Sequence, residues 1–315
     1  MTKKILVLGA NGQLGKEVVR IFSDTSKYDV CAPNEKDADI VSLEKIQKIA
    51  EDFSTDVIVN CAAFTNVDRC ETETTLAKDV NGFGAFNCAE VALRTGAFLI
   101  HVSTDYVYDG KTKFNKVSHI RDLDHERPLN YYGISKQYGE LLISERLKDI
   151  DPYSFVIFRT SGLYGRFGNN FLSKMQKAVY DSLNTSNTFK LIVDQWYCPT
   201  SALQLARQIK IWADLSKEDK EHVLNREGNI LNANNVGYTS PYAFFSKYCV
   251  LADYFGFLSH IAPIRFSDYF CGGRNTAARP ESVILENEIA IKYGTDLNAF
   301  TTIEEALEEY VRTKD

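Results

Sequence analysis

Apolar positions change their period along the chain, and the changes mark out the elements. Ile5-Leu6-Val7-Leu8 is an unbroken apolar run, the pattern of a parallel strand covered on both faces. After Gly9 the spacing lengthens, and Leu14, Val18, Val19, Ile21 and Phe22 recur at helical intervals. Tyr28 to Ala32 reads as a second strand. Ser42 stands where it can cap a helix whose inner face is Ile46, Ile49, Ala50 and Phe53. Residues 56–59, 97–102 and 154–158 predict the third, fourth and fifth strands. Strands alternating with helices over short connections imply right-handed crossovers, hence an α/β fold with a doubly wound parallel sheet.

The pattern loosens after residue 160. Phe189 to Val193 predicts one more strand, and 201–213 and 241–256 predict helices. Asp181 to Thr188 is the most loop-like stretch. Thr302 with Glu305 fits a capping box for a last helix with Ile303, Leu307, Tyr310 and Val311 on its inner face. Glu304, Glu305, Glu308 and Glu309 then read as that helix's solvated face. No internal repeat of solenoid length is visible.

Composition narrows the classes. The 315 residues are 44% hydrophobic and 25% charged, which excludes collagen-like, low-complexity and wholly disordered chains. A net charge of −6 lacks the basic footprint of a nucleic-acid binder. No apolar run approaches a membrane span, and four apolar residues before Gly9 are too few for the core of a secretory signal. The seven cysteines, none in CxxC spacing, read as reduced thiols of a cytoplasmic protein. His119, Asp122, Asp124 and His125 read as a solvated polar loop, and no metal site is assigned.

Two constellations carry chemistry. Gly9, Asn11, Gly12, Gln13, Leu14 and Gly15 form a GxxGxxG turn between the first strand and the first helix. A pyrophosphate needs bare backbone, outward-pointing amides and the positive end of a helix dipole, and such a turn supplies all three. The second strand ends at Ala32-Pro33-Asn34 with neither an acid for a ribose hydroxyl nor an arginine for a 2′-phosphate at that corner. Lys36 is the nearest basic residue, so weak discrimination between NADPH and NADH is expected. The second constellation begins with Thr104, in Ser103-Thr104-Asp105-Tyr106 after the fourth strand. It continues with Tyr132 and Lys136, four residues apart and so on one helix face. A lysine beside a tyrosine favours the phenolate and makes the phenol a usable acid near neutral pH. A threonine hydroxyl can hold the substrate oxygen. Together these make a hydride-transfer site, in which a cofactor carries the hydride and the protein handles the proton.

At these residues the chain resembles the extended short-chain dehydrogenase/reductases, and within them the dTDP-4-dehydrorhamnose reductase family. The matching segments run from GANGQLG (9–15) through NCAAFTNVDRCE (60–71), STDYVYDG (103–110), PLNYYGISKQYGE (128–140), GNNF (168–171) and DQWYCPTS (194–201) to AARP (277–280). The resemblance implies a Rossmann-type domain over residues 1–160 and a smaller C-terminal substrate-binding lobe over 161–315, with parts of 165–245 returning to the sheet. It implies NADPH or NADH as cofactor and a nucleotide sugar as substrate. Reduction of the 4-keto group of a nucleotide-linked 6-deoxy sugar is the implied activity, and a homodimer is a candidate assembly. Thr104, Tyr132 and Lys136 would be catalytic, with the last two also on the cofactor. Asp39 and Ile40 would flank adenine, and Ala62, Ala63 and Thr65 the nicotinamide ribose. Tyr106, Asn170 and Arg279, with Thr104, would face the sugar nucleotide.

Two departures from the family pattern stand out. Gly162 occupies a position where these reductases usually carry Trp, and the stretch between Tyr108 and Tyr132 is longer and more basic. With Gly162 the pocket could accept a different sugar, or another aromatic could fill the gap, with candidates between Tyr238 and Phe245. The β regulatory subunit of methionine adenosyltransferase resembles the same family and also lacks that Trp, so a cofactor-binding interaction subunit is the alternative reading.

Overall fold

In a computed structural model, residues 2–111, 114–115, 127–183, 188–270, 277–287 and 297–313 are described. Six strands form one sheet, all parallel: β1 (Lys3–Leu8), β2 (Tyr28–Cys31), β3 (Val57–Asn60), β4 (Phe98–Thr104), β5 (Phe155–Thr160) and β6 (Ile230–Asn232). Their spatial order is β2-β1-β3-β4-β5-β6. The chain moves outward from β1 to β2, then returns to place β3 on the other side of β1. The carboxyl ends of β1 and β3 therefore bound a topological switch point, where doubly wound sheets bind ligands.

Alternation along each strand sends its side chains to opposite faces, and helices bury both. Ile5, Val7, Val57, Val59, Ile100, Val156 and Phe158 pack on one face against Leu14, Val18 and Phe22 of α1 (Gln13–Ser23). Leu6, Leu8, Ile58, Leu99, Phe155 and Ile157 face the other way. There they meet α2 (Leu43–Phe53), α3 (Gly84–Thr95) and α4 (Tyr131–Leu147). Each fully buried Leu, Ile or Phe contributes about 1.5–3 kcal/mol relative to exposure. One ion pair is sealed between these layers: Arg159 of β5 donates to Glu140 of α4 at 2.6 Å, both side chains wholly buried. Removing either partner would leave a buried charge alone, at a cost of about 3–5 kcal/mol.

The second half of the chain contributes to both regions. β6 closes the sheet edge, and α6 (Ala202–Asp214) packs beside α1 through Leu205, Ala206, Ile209 and Trp212. A separate core joins α5 (Phe171–Ser182), α7 (Pro241–Leu251) and α8 (Ile303–Thr313) through Leu172, Met175, Phe244, Tyr248, Leu307 and Tyr310. The predicted strand at 189–193 forms as Phe189–Ile192, but pairs with Ile261–Ile264 outside the main sheet. The helix predicted to reach residue 256 stops at Leu251, where Asp253 turns to a positive φ of 56°. Asp181 and Ser182 end α5 instead of opening a loop, and 184–187 lie outside the described residues.

The capping box at α8 forms as expected, with Glu305 N–H donating to Thr302 Oγ1 and Thr302 N–H to Glu305 Oε2. Ser42, by contrast, holds the N-cap position of α2 without a side-chain cap bond. The acidic run is not simply a solvated face. Glu304 pairs with Lys247, and Glu309 pairs with Arg207 at 2.7 Å and accepts from Gln204.

All six described cysteines are free thiols, and four of them are buried. His119, Asp122, Asp124 and His125 lie outside the described residues, as does most of the basic stretch before Tyr132. Among the described residues no helix is long and apolar enough to cross a membrane.

Candidate active site

The glycine turn is built for close approach. Gly9 has φ +73°, and a Cβ there would lie 2.5 Å from Ala62 N, across the switch point. A Cβ on Gly15 would collide with the Gly9 carbonyl and lie 2.7 Å from Ala10 Cα. Gly12 caps α1 and donates its N–H back to Gly9 O at 3.0 Å. The cleft outside this turn is lined by Gly9, Asn11, Gly12, Asp39, Ile40, Ala62 and Ala63 among others. Gln13 does not line this cleft; its Nε2 is buried without a hydrogen-bond partner on the side of Gly165 and Gly168. A cradle that no side chain can enter and the start of a helix fit a dinucleotide pyrophosphate. Leu14 instead sinks its side chain into the core, leaving its backbone to the turn. Thr65 is exposed and does not line this cleft, while Glu35 does. The sequence reading placed no acid at this corner because the strand ends before it. The turn closed by Asn34 Oδ1, which accepts from the N–H groups of Lys36 and Asp37, brings Glu35 round.

Thr104 is the last residue of β4, two residues beyond the predicted strand end. Its hydroxyl donates to Asp105 Oδ1 at 3.1 Å and accepts the Tyr106 N–H at 3.2 Å. Tyr132 reaches the same hydroxyl with its phenol. Asp105 is buried, takes a second hydrogen bond from Ser161 Oγ at 2.6 Å, and has its carboxyl pushed up to about 6 by burial. The Tyr132 phenol is raised above its ordinary value, chiefly by burial and further by the Asp105 carboxylate, so it stays protonated near neutral pH.

The helix that carries Tyr132 and Lys136 is held closely. Asn130 caps it, accepting from Gly133 N–H at 2.9 Å, while a Cβ on Gly133 would collide with the Tyr106 carbonyl. Asn81 Nδ2 donates to Ser135 Oγ at 2.9 Å from the neighbouring helical turn. Lys136 is 1% exposed. Its Nζ does not stand beside the Tyr132 phenol as partner, as the spacing predicts. It donates to Val102 O at 2.8 Å and faces His101 Nε2 at 3.2 Å. Burial brings the Lys136 ammonium down to about 8.

A second cleft opens beside Thr104, walled by Asp105, Tyr106, Ser161, Gly162, Phe171 and Tyr197 among others. Tyr106 and Tyr132 meet edge-to-face at 5.7 Å. Gly162 has φ +50°, and a Cβ there would lie 2.7 Å from the Tyr197 ring. An aromatic does fill the space at Gly162, but it is Tyr197 and not a residue of 238–245. Phe244 contributes only from behind, 6.5 Å from Tyr197.

A family model described as the RmlD substrate binding domain matches residues 3–314. The chain belongs to the RmlD family. A dTDP-4-dehydrorhamnose reductase of Aggregatibacter actinomycetemcomitans is 38% identical over 203 residues, 64% of this chain and 65% of that protein. The chain thus aligns with just under two thirds of that relative's length. Two solved structures match nearly end to end with a TM-score of 0.79. One is a dTDP-4-dehydrorhamnose reductase of Bacillus anthracis in complex with NADP, 27% identical over 98% of this chain and 99% of that one. The other, from Clostridium acetobutylicum, is 29% identical over 98% of both.

Within this RmlD-family site, two residues expected on the sugar nucleotide are otherwise engaged. Asn170 caps α5: its Oδ1 accepts from Ser173 N–H at 3.0 Å and its Nδ2 donates to Gly165 O at 2.7 Å. It is not among the residues that line the second cleft. Arg279 pairs with Asp68 at 2.9 Å and donates to Ala277 O, with the Tyr106 phenol as a further partner. It would have to exchange Asp68 to clamp a phosphate. Asp105, Ser161, Tyr197 and His101 were not singled out as site residues. Asp105 had a signal, an acid beside the threonine at a strand end. A histidine inside an apolar strand run was a fainter one.

Proposed function

We propose that the chain is an NAD(P)H-dependent oxidoreductase that reduces the 4-keto group of a nucleotide-linked 6-deoxy sugar, with dTDP-4-dehydro-L-rhamnose to dTDP-L-rhamnose as the reaction to test first. The observation that carries this reading is the Thr104–Tyr132 hydroxyl pair at the carboxyl end of β4, set between a glycine-walled cleft and an aromatic one. The names of the relatives support it. Gly9, Asn11, Gly12, Gln13 and Gly15, with the backbone of Leu14, would hold the cofactor pyrophosphate. Asp39, Ile40, Ala62 and Ala63 would line its path. The bound cofactor supplies a hydride.

The protein's part is the proton. Thr104 donates a hydrogen bond to Asp105 and accepts one from Tyr106 N–H, with the Tyr132 phenol at the same hydroxyl. A keto oxygen entering beside Tyr132 meets a phenol that is still protonated. As negative charge grows on that oxygen, Tyr132 delivers the proton. Lys136, one helical turn on, is the neighbouring base from which charge can be adjusted. Tyr106, Phe171 and Tyr197 give flat walls for a sugar and its base. Six free thiols suit a cytoplasmic location. We divide the chain into a cofactor domain over 1–160 and a substrate lobe over most of the remainder.

The test is loss of NADPH or NADH absorbance with dTDP-4-dehydro-L-rhamnose and with its stereoisomers and UDP counterparts. Turnover of one of them is expected. Bound cofactor with no oxidation by any 4-keto sugar nucleotide would overturn the reading in favour of an interaction subunit.

A further inference from the structure

His101 sits in the middle of β4, between Ile100 and Val102, and is 1% exposed. Its two ring nitrogens are both engaged. Nδ1 lies 3.1 Å from Asn60 Nδ2 on the adjacent strand β3, and Nε2 lies 3.2 Å from Lys136 Nζ on α4. The Asn60 amide is oriented by its other end, where Oδ1 accepts the Ala62 N–H at 3.0 Å. The group facing Nδ1 is therefore an N–H donor. A neutral imidazole has one donor and one acceptor. With Nδ1 accepting from Asn60, the ring proton is on Nε2 and points at Lys136. An ammonium there would set donor against donor, whereas a free amine offers its lone pair.

We propose that His101, biased toward its Nε2–H tautomer by Asn60, is a positioning residue that favours the uncharged amine of Lys136 over the ammonium. Charging Lys136 then requires the ring proton to move to Nδ1 and the Asn60 amide to turn. That turn breaks the bond to Ala62 N–H, in the segment that walls the cofactor cleft. The charge on Lys136 and the shape of that wall are thereby linked.

The surroundings favour the same state. Burial lowers both the Lys136 ammonium and the His101 imidazolium. The other titratable groups around Lys136 are Glu140 on its own helix, Cys88 from α3 and Cys61 after β3. Glu140 would favour the charged form, but it is bound by Arg159. The two thiols are raised to about 12 by burial and stay neutral.

This inference deepens the reductase reading, since it concerns a residue of the same site. Its test uses the cofactor-free full chain and so answers independently of the turnover assay. Nitrogen-15 histidine spectra report the tautomer of each ring, and carbon-13 labelling at the lysine ε position reports the titration of Lys136. His101→Gln and Lys136→Met assign the two signals. We expect Lys136 to titrate near 8 and His101 to pass in step with it, from the Nδ1–H form below that pH to the Nε2–H form above it. His101→Gln, whose side-chain oxygen can accept from an ammonium, should raise that titration by a unit or more, a tenfold gain in proton affinity. Asn60→Ser, which frees Nδ1 without touching the ring, should move it in the same direction. The alkaline limb of kcat/KM should shift with it, whereas a merely structural role would lower kcat at every pH. His101 found as the Nδ1–H tautomer in the wild type above the Lys136 titration, a reading that needs no folded variant at Asn60, would overturn the proposal. So would Lys136 titrating near the ordinary lysine value, or staying unmoved in both folded variants.

Discussion

The cleft at the glycine turn is walled by backbone, and the cleft beside Thr104 by rings. In the first, the close contacts run from Gly9 to Ala62 and from Gly15 to the Gly9 carbonyl, and all of them lie within the first 62 residues. In the second, Tyr106, Gly162, Phe171, Tyr197 and Pro241 arrive from separate segments. A backbone wall tolerates no added atom, because a main chain has nowhere to move without breaking its own hydrogen bonds. A side-chain wall can rotate, so it adapts and its specificity can drift. The first cleft should therefore be brittle and the second plastic.

The largest effect is expected where both clefts meet the reacting oxygen. Tyr132→Phe should lower kcat by roughly 10²–10⁴-fold, the range of a lost general acid, with cofactor affinity unchanged by fluorescence titration. A drop in cofactor affinity of the same size would mean that Tyr132 belongs to the backbone-walled cleft and not to the proton path.

The contrast in brittleness is tested by paired glycine substitutions. Gly15→Ala should weaken cofactor binding by about a hundredfold, about 2.7 kcal/mol, since its Cβ would strike main chain on two sides. Gly162→Ala should leave cofactor binding alone and change the sugar-nucleotide KM several-fold. Its Cβ meets a ring edge that can swing, and the remaining cost is the left-handed backbone, about 1–2 kcal/mol. Equal losses of cofactor affinity in the two variants would erase the distinction.

Asp105 sharpens it through pH. Ionised, it accepts the Thr104 O–H hydrogen bond and fixes that hydroxyl beside Tyr132, so kcat/KM should fall as pH drops through about 6. Asp105→Asn should lose that limb along with most activity. The sign for stability is opposite to that of a paired surface acid. The folded pKa lies above the ordinary 3.8, so the native state binds the proton more tightly and this group's contribution falls as pH rises from about 4 to 6. Asp105→Asn should therefore melt higher than wild type at pH 7, by at most about 3 kcal/mol. An unchanged or lower melting temperature would show that the two hydroxyl donors fully compensate the buried charge.

The smallest effect concerns Glu35. An acid at the ribose corner repels a 2′-phosphate, so NADH should be preferred over NADPH. Glu35→Lys should reverse the preference by about tenfold, about 1.4 kcal/mol. Cofactor preference that ignores Glu35→Lys would return the corner to the indifference expected from the sequence.

The sheet was legible because a strand buried on both faces leaves an unbroken apolar run, as in β1, β3 and β5, with β4 broken only by His101 before its polar end. β6, only three residues long, carries too short a signal. The glycine turn was legible because only glycine satisfies its sterics, so the requirement is written in the residue type. Thr104, Tyr132 and Lys136 could be placed on a strand end and a helix face from spacing alone. Their partners could not. The sequence puts Lys136 one helical turn from Tyr132, but a lysine stem long enough to reach Tyr132 is also long enough to reach Val102 and His101. Asn170 matched a family segment, yet its amide is consumed in capping its own helix.

What the sequence by itself determined was therefore everything enforced locally: the parallel α/β order, the close-packed glycine turn, and the placing of Thr104 at a strand end and of Tyr132 and Lys136 on one helix. Local sterics and periodicity act over a few residues, so they leave their mark in neighbouring letters. What only the tertiary structure decided was which buried groups meet. Asp105 with Ser161, Tyr197 beside Gly162, and the Asn60–His101–Lys136 line each join residues 35 or more positions apart. A buried donor must find an acceptor somewhere, and that condition fixes the count of partners while leaving their identity to the packing of the sheet.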